Sequence, residues 1–513
     1  MIKRWSGIRE YEPVATEDTK FCGRRKLFTD ETEITENNIE DVLNGLIFDI
    51  YDNYRQIKML KNYERGLQPI ISREKKIRGD INNKTVVNHA HEIKEFKKGF
   101  LFGEPISCVQ RAKNDVQSMQ GQTEEQESNT DNGVAELNQL YYEQNKSAKD
   151  LKLADELCVT GVGYRMALAN DDDSELAPFK IYPLLSEYTF EVFTNDVFQK
   201  KILAGTFVIK ETGVVKVGAY TDDKYFELEG SNGAWKLTKE PEDNGIGMIP
   251  IVGYRYDENL MSSFEYVIRL INAKNKVSSD RTNGVEQFVQ AILWLNNIKL
   301  TDEDFKSLMI KGCIQSVDIS PDKKATVEWL ASELNQENTQ KVIDDFTDMI
   351  LEIAGVPSRN QSSGGNTGQA IMLSEGWHIA STQAQTFVEM FKADEQEFNK
   401  LILKICQNST KASENVKGLN ISDIMPEFNI NRTDNIITKV QALQGLLEAG
   451  VHPRIAFRKI ELFGDSEQAY LDSKSYLKKW EYEEETQEET HSDEEDVVID
   501  EQTEIVETPN GEE

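Results

Sequence analysis

Apolar residues recur at helical spacing over most of the chain, interrupted by one long stretch where the period shortens to two. Ile39, Val42, Leu43, Leu46, Ile47, Ile50, Tyr51 and Tyr54 mark an amphipathic helix that Gly66 and Pro69 close. Asp80-Ile81-Asn82-Asn83-Lys84 has turn chemistry and offers polar caps to a second helix through Val86, Val87, Ala90, Ile93 and Phe96. That helix stops at Gly99, and the segment to Ile106 is extended. Residues 111–133 are polar, acidic and aperiodic and read as a mobile insertion; a third helix spans about 135–158. From Gly161 to about Leu237 the runs Val162–Leu168, Tyr188–Phe193, Ile202–Ile209, Val214–Tyr220 and Tyr225–Leu228 are rich in β-branched and aromatic residues. Turn signals separate them, which predicts an antiparallel sheet with hairpins.

Helical spacing returns near Glu258. Leu260, Phe264, Val267, Ile268 and Ile271 share a face of a helix reaching about Asn283. Residues 285–325 form a small mixed insertion with Trp294 and a strand at Cys313–Ile319. A helix over 326–354 carries Val342, Ile343, Phe346, Met349, Ile350 and Ile353. A polar loop from Gly355 to Gly368, with one Pro and four Gly, breaks it before a long helix from 369 to about 407. Short helices near 434–449, 453–463 and 466–480 follow. The class is α+β, and no sequence repeat is found.

Charge adds a tail to this outline. The net charge is −32, and Glu481–Glu513 holds 16 acidic residues and no Lys or Arg, so that segment alone carries half of it. Its like charges repel and it has little apolar surface to bury, which predicts disorder. The rest is acidic too, with no basic stripe of the kind that grips a phosphate backbone. No run approaches about 18 uncharged apolar residues, and the N-terminus lacks a signal-peptide core. The five cysteines are scattered, without CxxC, which suits reduced thiols and gives no support to zinc.

Candidate chemistry is sparse. No GxxxxGK[ST] pattern exists, and the 355–368 loop has no Lys-Ser/Thr pair to complete a phosphate cradle. Asp171-Asp172-Asp173 lies in turn composition and reads as a solvated hairpin tip rather than a metal site. Asp302-Glu303-Asp304 suits the first turn of a short helix. His89 and His91 are two apart on a helix and do not form a metal pair. No cofactor or metal is expected. On the 258–283 helix, Arg269 and Lys276, and separately Lys274 and Arg281, lie seven apart: either a solvated flank or contacts for a passing polyanion.

Asn82-Asn83-Lys84, then Gly99-Phe100-Leu101-Phe102-Gly103-Glu104-Pro105, then Ala354-Gly355-Val356-Pro357 with Gly365-Asn366-Thr367-Gly368-Gln369-Ala370, occur in an order that resembles the siphophage type of tailed-bacteriophage portal proteins. Thr367 stands where Ser is usual in that family. The resemblance covers about residues 40 to 480. It implies a wing over 1–257, stem helices over 258–284 and 326–354, and a clip over 285–325. It further implies a tunnel loop over 355–368, a long tunnel helix over 369–407 returning to the wing, and a helical crown over 408–480 before the tail. It implies a homo-oligomeric ring of about twelve subunits at a capsid vertex, assembled in the host cytoplasm, through which double-stranded DNA passes non-specifically. Ser358, Arg359, Asn360, Gln361, Ser362, Ser363, Gly364, Gly365 and Asn366 would face that DNA, and Arg269, Lys274, Lys276 and Arg281 would line the channel. Implied partners are the large terminase subunit, the major capsid and scaffold proteins and the head–tail connector, with no membrane. The motor would be the separate terminase, in keeping with the missing ATPase signature.

Three alternatives stay open on the residues alone. One is another ring-forming virion protein without a DNA channel. The second is an enzyme, a metal-dependent nuclease using Asp171–Asp173 or a nucleotide-binding protein using the 355–368 loop. The third is a cytoplasmic adaptor whose acidic tail recruits basic partners.

Overall fold

A computed structural model describes residues 13–75, 79–110, 124–231, 234–289, 292–296, 326–330, 336–357, 375–428 and 436–460, with isolated positions to 477. The chain divides into two units, 1–433 and 434–513. The described part of the first is α+β, built on helices α1 (Ile39–Glu64), α2 (His89–Phe102), α3 (Glu124–Glu143), α4 (Lys146–Thr160), α5 (Ile268–Val289), α6 (Gln336–Ile353), α7 (Glu375–Asn408) and the single turn α8 (Glu414–Lys417).

The shortened period does produce sheet. Strands β5 (Thr189–Thr194), β6 (Lys201–Ile209), β7 (Val215–Tyr220) and β8 (Lys224–Ser231) are antiparallel neighbours. Strand β1 (Leu27–Thr29) adds parallel to β5, and β9 (Ala234–Leu237) and β10 (Glu242–Asp243) both pair with β8. One face of this sheet buries Phe190, Leu203, Phe207, Val217, Phe226 and Trp235 against Leu43, Ile47 and Ile50 of α1. The run at Val162 belongs elsewhere. As β3 (Val162–Ala169) it sits between β4 (Phe179–Leu184) and β11 (Ile251–Arg255) in a separate antiparallel sheet. Asp171–Asp173 are exposed in the β3–β4 connection. Residues of α2, α3, α4, β3, β4, β11 and α7 pack one continuous core, and β14 (Ile424–Glu427), paired with β2 (Ser107–Gln110), closes it.

Several boundaries move. The 111–133 insertion is helical from Glu124. The single helix at 135–158 is two helices, because Asn145 takes a left-handed conformation (φ 52°) between α3 and α4. Gly99 lies inside α2 on its exposed side, and the helix runs on to Phe102. Helix α5 starts ten residues after Glu258: Leu260 has φ 55°, and Phe264 is buried from a non-helical position. It also continues past Asn283 to Val289. Residues Thr326–Leu330 are not helical; they form β13, paired antiparallel with β12 (Ile292–Asn296). Residues 408–428 pack into the first unit rather than with a C-terminal helical body. The strand expected at Cys313–Ile319, the acidic run at 302–304 and the 481–513 tail lie outside the described residues.

Gly161 ends α4 at φ 82°, and a Cβ there would fall on the backbone of Leu260 and Met261. Neither contact can move as a side chain would. Gly161→Ala should therefore cost more than about 2 kcal/mol, strain and clash together. A urea-unfolding midpoint equal to wild type would refute this.

In the second unit α9 (Ile436–Glu448) and α10 (Pro453–Ile460) form a helical hairpin. Gly450 is left-handed at its turn, and Val451 N donates to the Leu446 carbonyl at 3.0 Å.

Candidate functional site

The polar interruption that dominates the sequence follows a helix whose end is firmly made. Helix α6 closes with Gly355 at φ 62°. Val356 N donates to the Leu351 carbonyl at 2.8 Å and Gly355 N to the Glu352 carbonyl at 3.0 Å, the paired bonds of a Schellman stop. Val356 and Leu351 are buried in one core, and Pro357 prevents continuation. Residues Ser358–Asn366, selected from the sequence as DNA-facing, lie outside the described residues. Their anchorage does not. Lys97 of α2 reaches the Gly355 carbonyl at 3.3 Å and Gln383 Oε1 of α7 at 2.9 Å, so one ammonium joins the helices on both sides of the loop. Lys97 is 4% exposed and has no carboxylate in ion-pair range among the described residues. Burial pushes its pKa down to about 8. Beside it lies a cavity of about 290 Å³ walled by Phe100, Tyr256, Ile353 and Phe387.

Helix α5 presents three faces with different partners. On the first, Lys274 Nζ lies 2.6 Å from His89 Nε2 and 2.5 Å from Thr347 Oγ1 of α6. His89 Nδ1 meets Glu92 at 2.7 Å. Arg281 bonds Gln340, also of α6. Lys274 is buried, which lowers its pKa against the pull of Glu92, Asp344 and Asp348. In the single chain it is a tie between helices rather than a solvent-facing cation, and Arg281 is only partly exposed.

The second face is a polar stripe, Asn275, Ser279 and Asn283. Backbone N–H groups of Val87, Thr85 and Asn83 donate to these three side chains at 2.8, 2.9 and 2.6 Å. The match is metric: two extended residues advance about 6.7 Å and four helical residues about 6.0 Å. Asn83-Lys84-Thr85-Val86-Val87 is thus a strap along α5, not the cap of α2. That cap is Asn88, whose side chain accepts from His91 N. On the third face Arg269 and Lys276 are exposed, the latter 3.6 Å from Glu17. The sequence spacing had set the two cation pairs apart; the packing turns Lys274 and Arg281 towards α6 and leaves Arg269 and Lys276 exposed.

Helix α7 carries a second buried cluster that periodicity did not reveal. Glu395 meets Arg165 at 3.0 Å, Lys146 at 2.9 Å and the Tyr254 hydroxyl at 2.7 Å. Asp150 completes it, 2.5 Å from Arg165 and 2.9 Å from Lys146. The guanidinium also lies between the rings of Tyr254 and Phe398, at 5.0 and 4.6 Å. Burial alone would raise the Glu395 pKa, but the two cations outweigh it and hold the carboxyl below its ordinary range. Its neighbour behaves oppositely: burial raises Asp394 to about 6, although Arg255 stands 3.2 Å away. Glu397 meets Lys201 at 2.5 Å. The sequence signal was there to find: Asp394-Glu395-x-Glu397 interrupts a stretch whose Phe391, Phe398 and Leu401 are all core.

No cluster of metal-ligating side chains and no helix long and apolar enough to cross a membrane occurs among the described residues. The described elements are those of a packed scaffold. Residues 46–490 match the family model described as phage portal protein, SPP1 Gp6-like. The chain belongs to that phage portal protein family. No curated protein matches it. The match runs from within α1, across the described elements of the first unit and the α9–α10 hairpin, into the acidic tail. Family membership makes the portal chain a structural component of a bacteriophage virion. It also gives the strap, the α5–α6 pair and the clamped loop a common setting.

Proposed function

We propose that this portal chain forms a ring at one capsid vertex, with α5 and α6 as the stem around a channel for double-stranded DNA. The segment after Pro357 is the tunnel loop in this proposal, and Ser358–Asn366 are the residues that meet DNA. The observation that carries the proposal is the shared foot of that loop, where Lys97 holds the end of α6 and the flank of α7 together in a chain of the portal family. The segment joining α5 to α6 is the clip, the docking site for the large terminase subunit during packaging and for the head–tail connector afterwards. The outer α/β body meets the major capsid and scaffold proteins. Assembly takes place in the host cytoplasm.

An acidic wall suits the task. Many Lys–phosphate contacts would hold the duplex at every step, whereas a mostly repulsive wall with a few cations lets it slide. Arg359 is the one charge in the 355–368 loop and would form one positive ring. Arg359→Glu should leave rings intact in electron micrographs and reduce packaging or retention of full-length DNA. Normal packaging by that variant would remove Arg359 from the channel. Wild-type protein that never forms a ring with a duplex-wide bore would remove the channel altogether.

A further inference from the structure

We propose that the cavity beside Lys97 is a binding site for a small monocarboxylate with an aromatic body. The site lies within one chain and requires no ring.

The cavity holds about 290 Å³ and is open to solvent, since Tyr266 and Ile353 in its wall are exposed. Phe100, Val267 and Phe387 are buried in the same wall, and the Tyr256 ring stands 5.4 Å from that of Phe387. A concave, mostly apolar space with a few polar groups is the usual form of a small-molecule site.

The unused polar groups are hydrogen-bond donors. Lys97 spends two of its three N–H groups on the Gly355 carbonyl and Gln383 Oε1, which leaves the third unused. The hydroxyls of Ser262 and Tyr256, both in the wall, have no hydrogen-bond partner among the described residues. Asp257, the one acid among the described lining residues, already accepts from Met261 N at 2.8 Å and from the Tyr266 hydroxyl at 2.7 Å. What the cavity lacks is an acceptor with a negative charge. A carboxylate accepts through both oxygens and donates nothing, so it matches this donor set. Its charge also offsets a buried ammonium that no side-chain carboxylate offsets among the described residues. The aromatic walls take up the rest of the molecule. An occupant would touch Phe100 of α2, Ile353 of α6 and Phe387 of α7, on the helices that Lys97 already joins.

The test is titration calorimetry on the full chain, with phenylbutyrate as the probe and phenylbutyramide as its uncharged counterpart. At neutral pH the acid should bind with a Kd below about 1 mM, and the amide at least about tenfold more weakly. Lys97→Met should weaken the acid by at least about tenfold as well. Cys158 acts on Lys97 from α4, but burial pushes its thiol up to about 12, and burial likewise raises Tyr256 and Tyr266. Lys97 is then the group that titrates near pH 8, so the affinity of wild type for the acid should fall about tenfold between about pH 7 and pH 9 as the ammonium is lost. Equal affinity for acid and amide overturns the inference, as does an affinity flat across that pH range, or no heat from the acid at about 5 mM. These three outcomes are read on wild-type protein and stand whether or not the variant folds. A variant with native circular dichroism and wild-type affinity for the acid overturns it too.

Discussion

Arg165→Met should lower the stability of the first unit by about 3–5 kcal/mol, because it strands buried carboxylates rather than merely removing contacts. Glu395 and Asp150 would be left sharing Lys146, with no water to replace the guanidinium. The same cluster sets an acid limit. Its cations hold the folded pKa of Glu395 below the ordinary value of 4.5, so its contribution is complete above about pH 4.5 and fades as pH falls towards the folded value. Adding Glu395→Gln to Arg165→Met should recover part of the loss by removing one stranded charge. Urea unfolding at pH 7 would decide the matter. A drop of less than about 1 kcal/mol for Arg165→Met would mean that apolar packing, not the ion cluster, holds α7 to β3 and α4.

Lys97→Met should act in the opposite direction. Lys97 bonds two neutral oxygens and no carboxylate among the described residues, so its charge is desolvated without an opposite charge to offset it. Its folded pKa of about 8 lies below the ordinary lysine value of 10.5. Between those values the unfolded chain binds the proton more firmly, so wild-type stability should rise as pH increases from about 8 to 10.5. The full rise is about 3 kcal/mol. The Met variant should lack that rise and match or exceed wild type at pH 7. Parallel stability–pH curves for the two proteins would show that Lys97 is solvated in solution. The gain should come with a loss of function: without the ammonium, the Gly355 carbonyl and Gln383 are no longer joined. Packaging should suffer in a variant that melts no lower than wild type, which separates a positioning role from a stabilising one.

How far these elements could be read from the sequence depended on whether their cause was local. The hairpin strands β5 to β8 were legible because each alternates and is bounded by turn residues. The stop at Gly355-Val356-Pro357 was legible because Gly and Pro have few other uses in that order. Strand β13 was not. Its residues Thr-Val-Glu-Trp-Leu run directly into helical spacing, and what makes them a strand is β12, some thirty residues earlier. The break at Asn145 was hidden because Glu143-Gln144-Asn145-Lys146 contains neither Gly nor Pro. The early start assigned to the 258 helix came from Leu260 and Phe264, which are buried from a loop and happen to fall in register with the true helix. The two cation pairs of α5 share one spacing, and only the position of α6, which takes up Lys274 and Arg281, distinguishes them. The Asn275, Ser279 and Asn283 stripe looked like ordinary helix polarity until a backbone lay along it.

Helix α7 is about 51 Å long at 1.5 Å per residue. Its two halves are fastened differently: Asp394, Glu395 and Glu397 are joined to four cations within four positions, while towards the loop Gln383 meets Lys97 and Ala380, Ala384 and Phe387 pack into apolar core. An axial force on the loop end would travel along the helix as along a rod and reach all three fastenings together. They would be loaded in shear together, whereas a sideways force on the same end would meet the Lys97 contact and the apolar packing of Trp377, Ala380, Ala384 and Phe387. The helix thus answers an axial pull through its ion pairs and a sideways one through apolar packing, two resistances of different range: the first falls with salt and acid, the second does not.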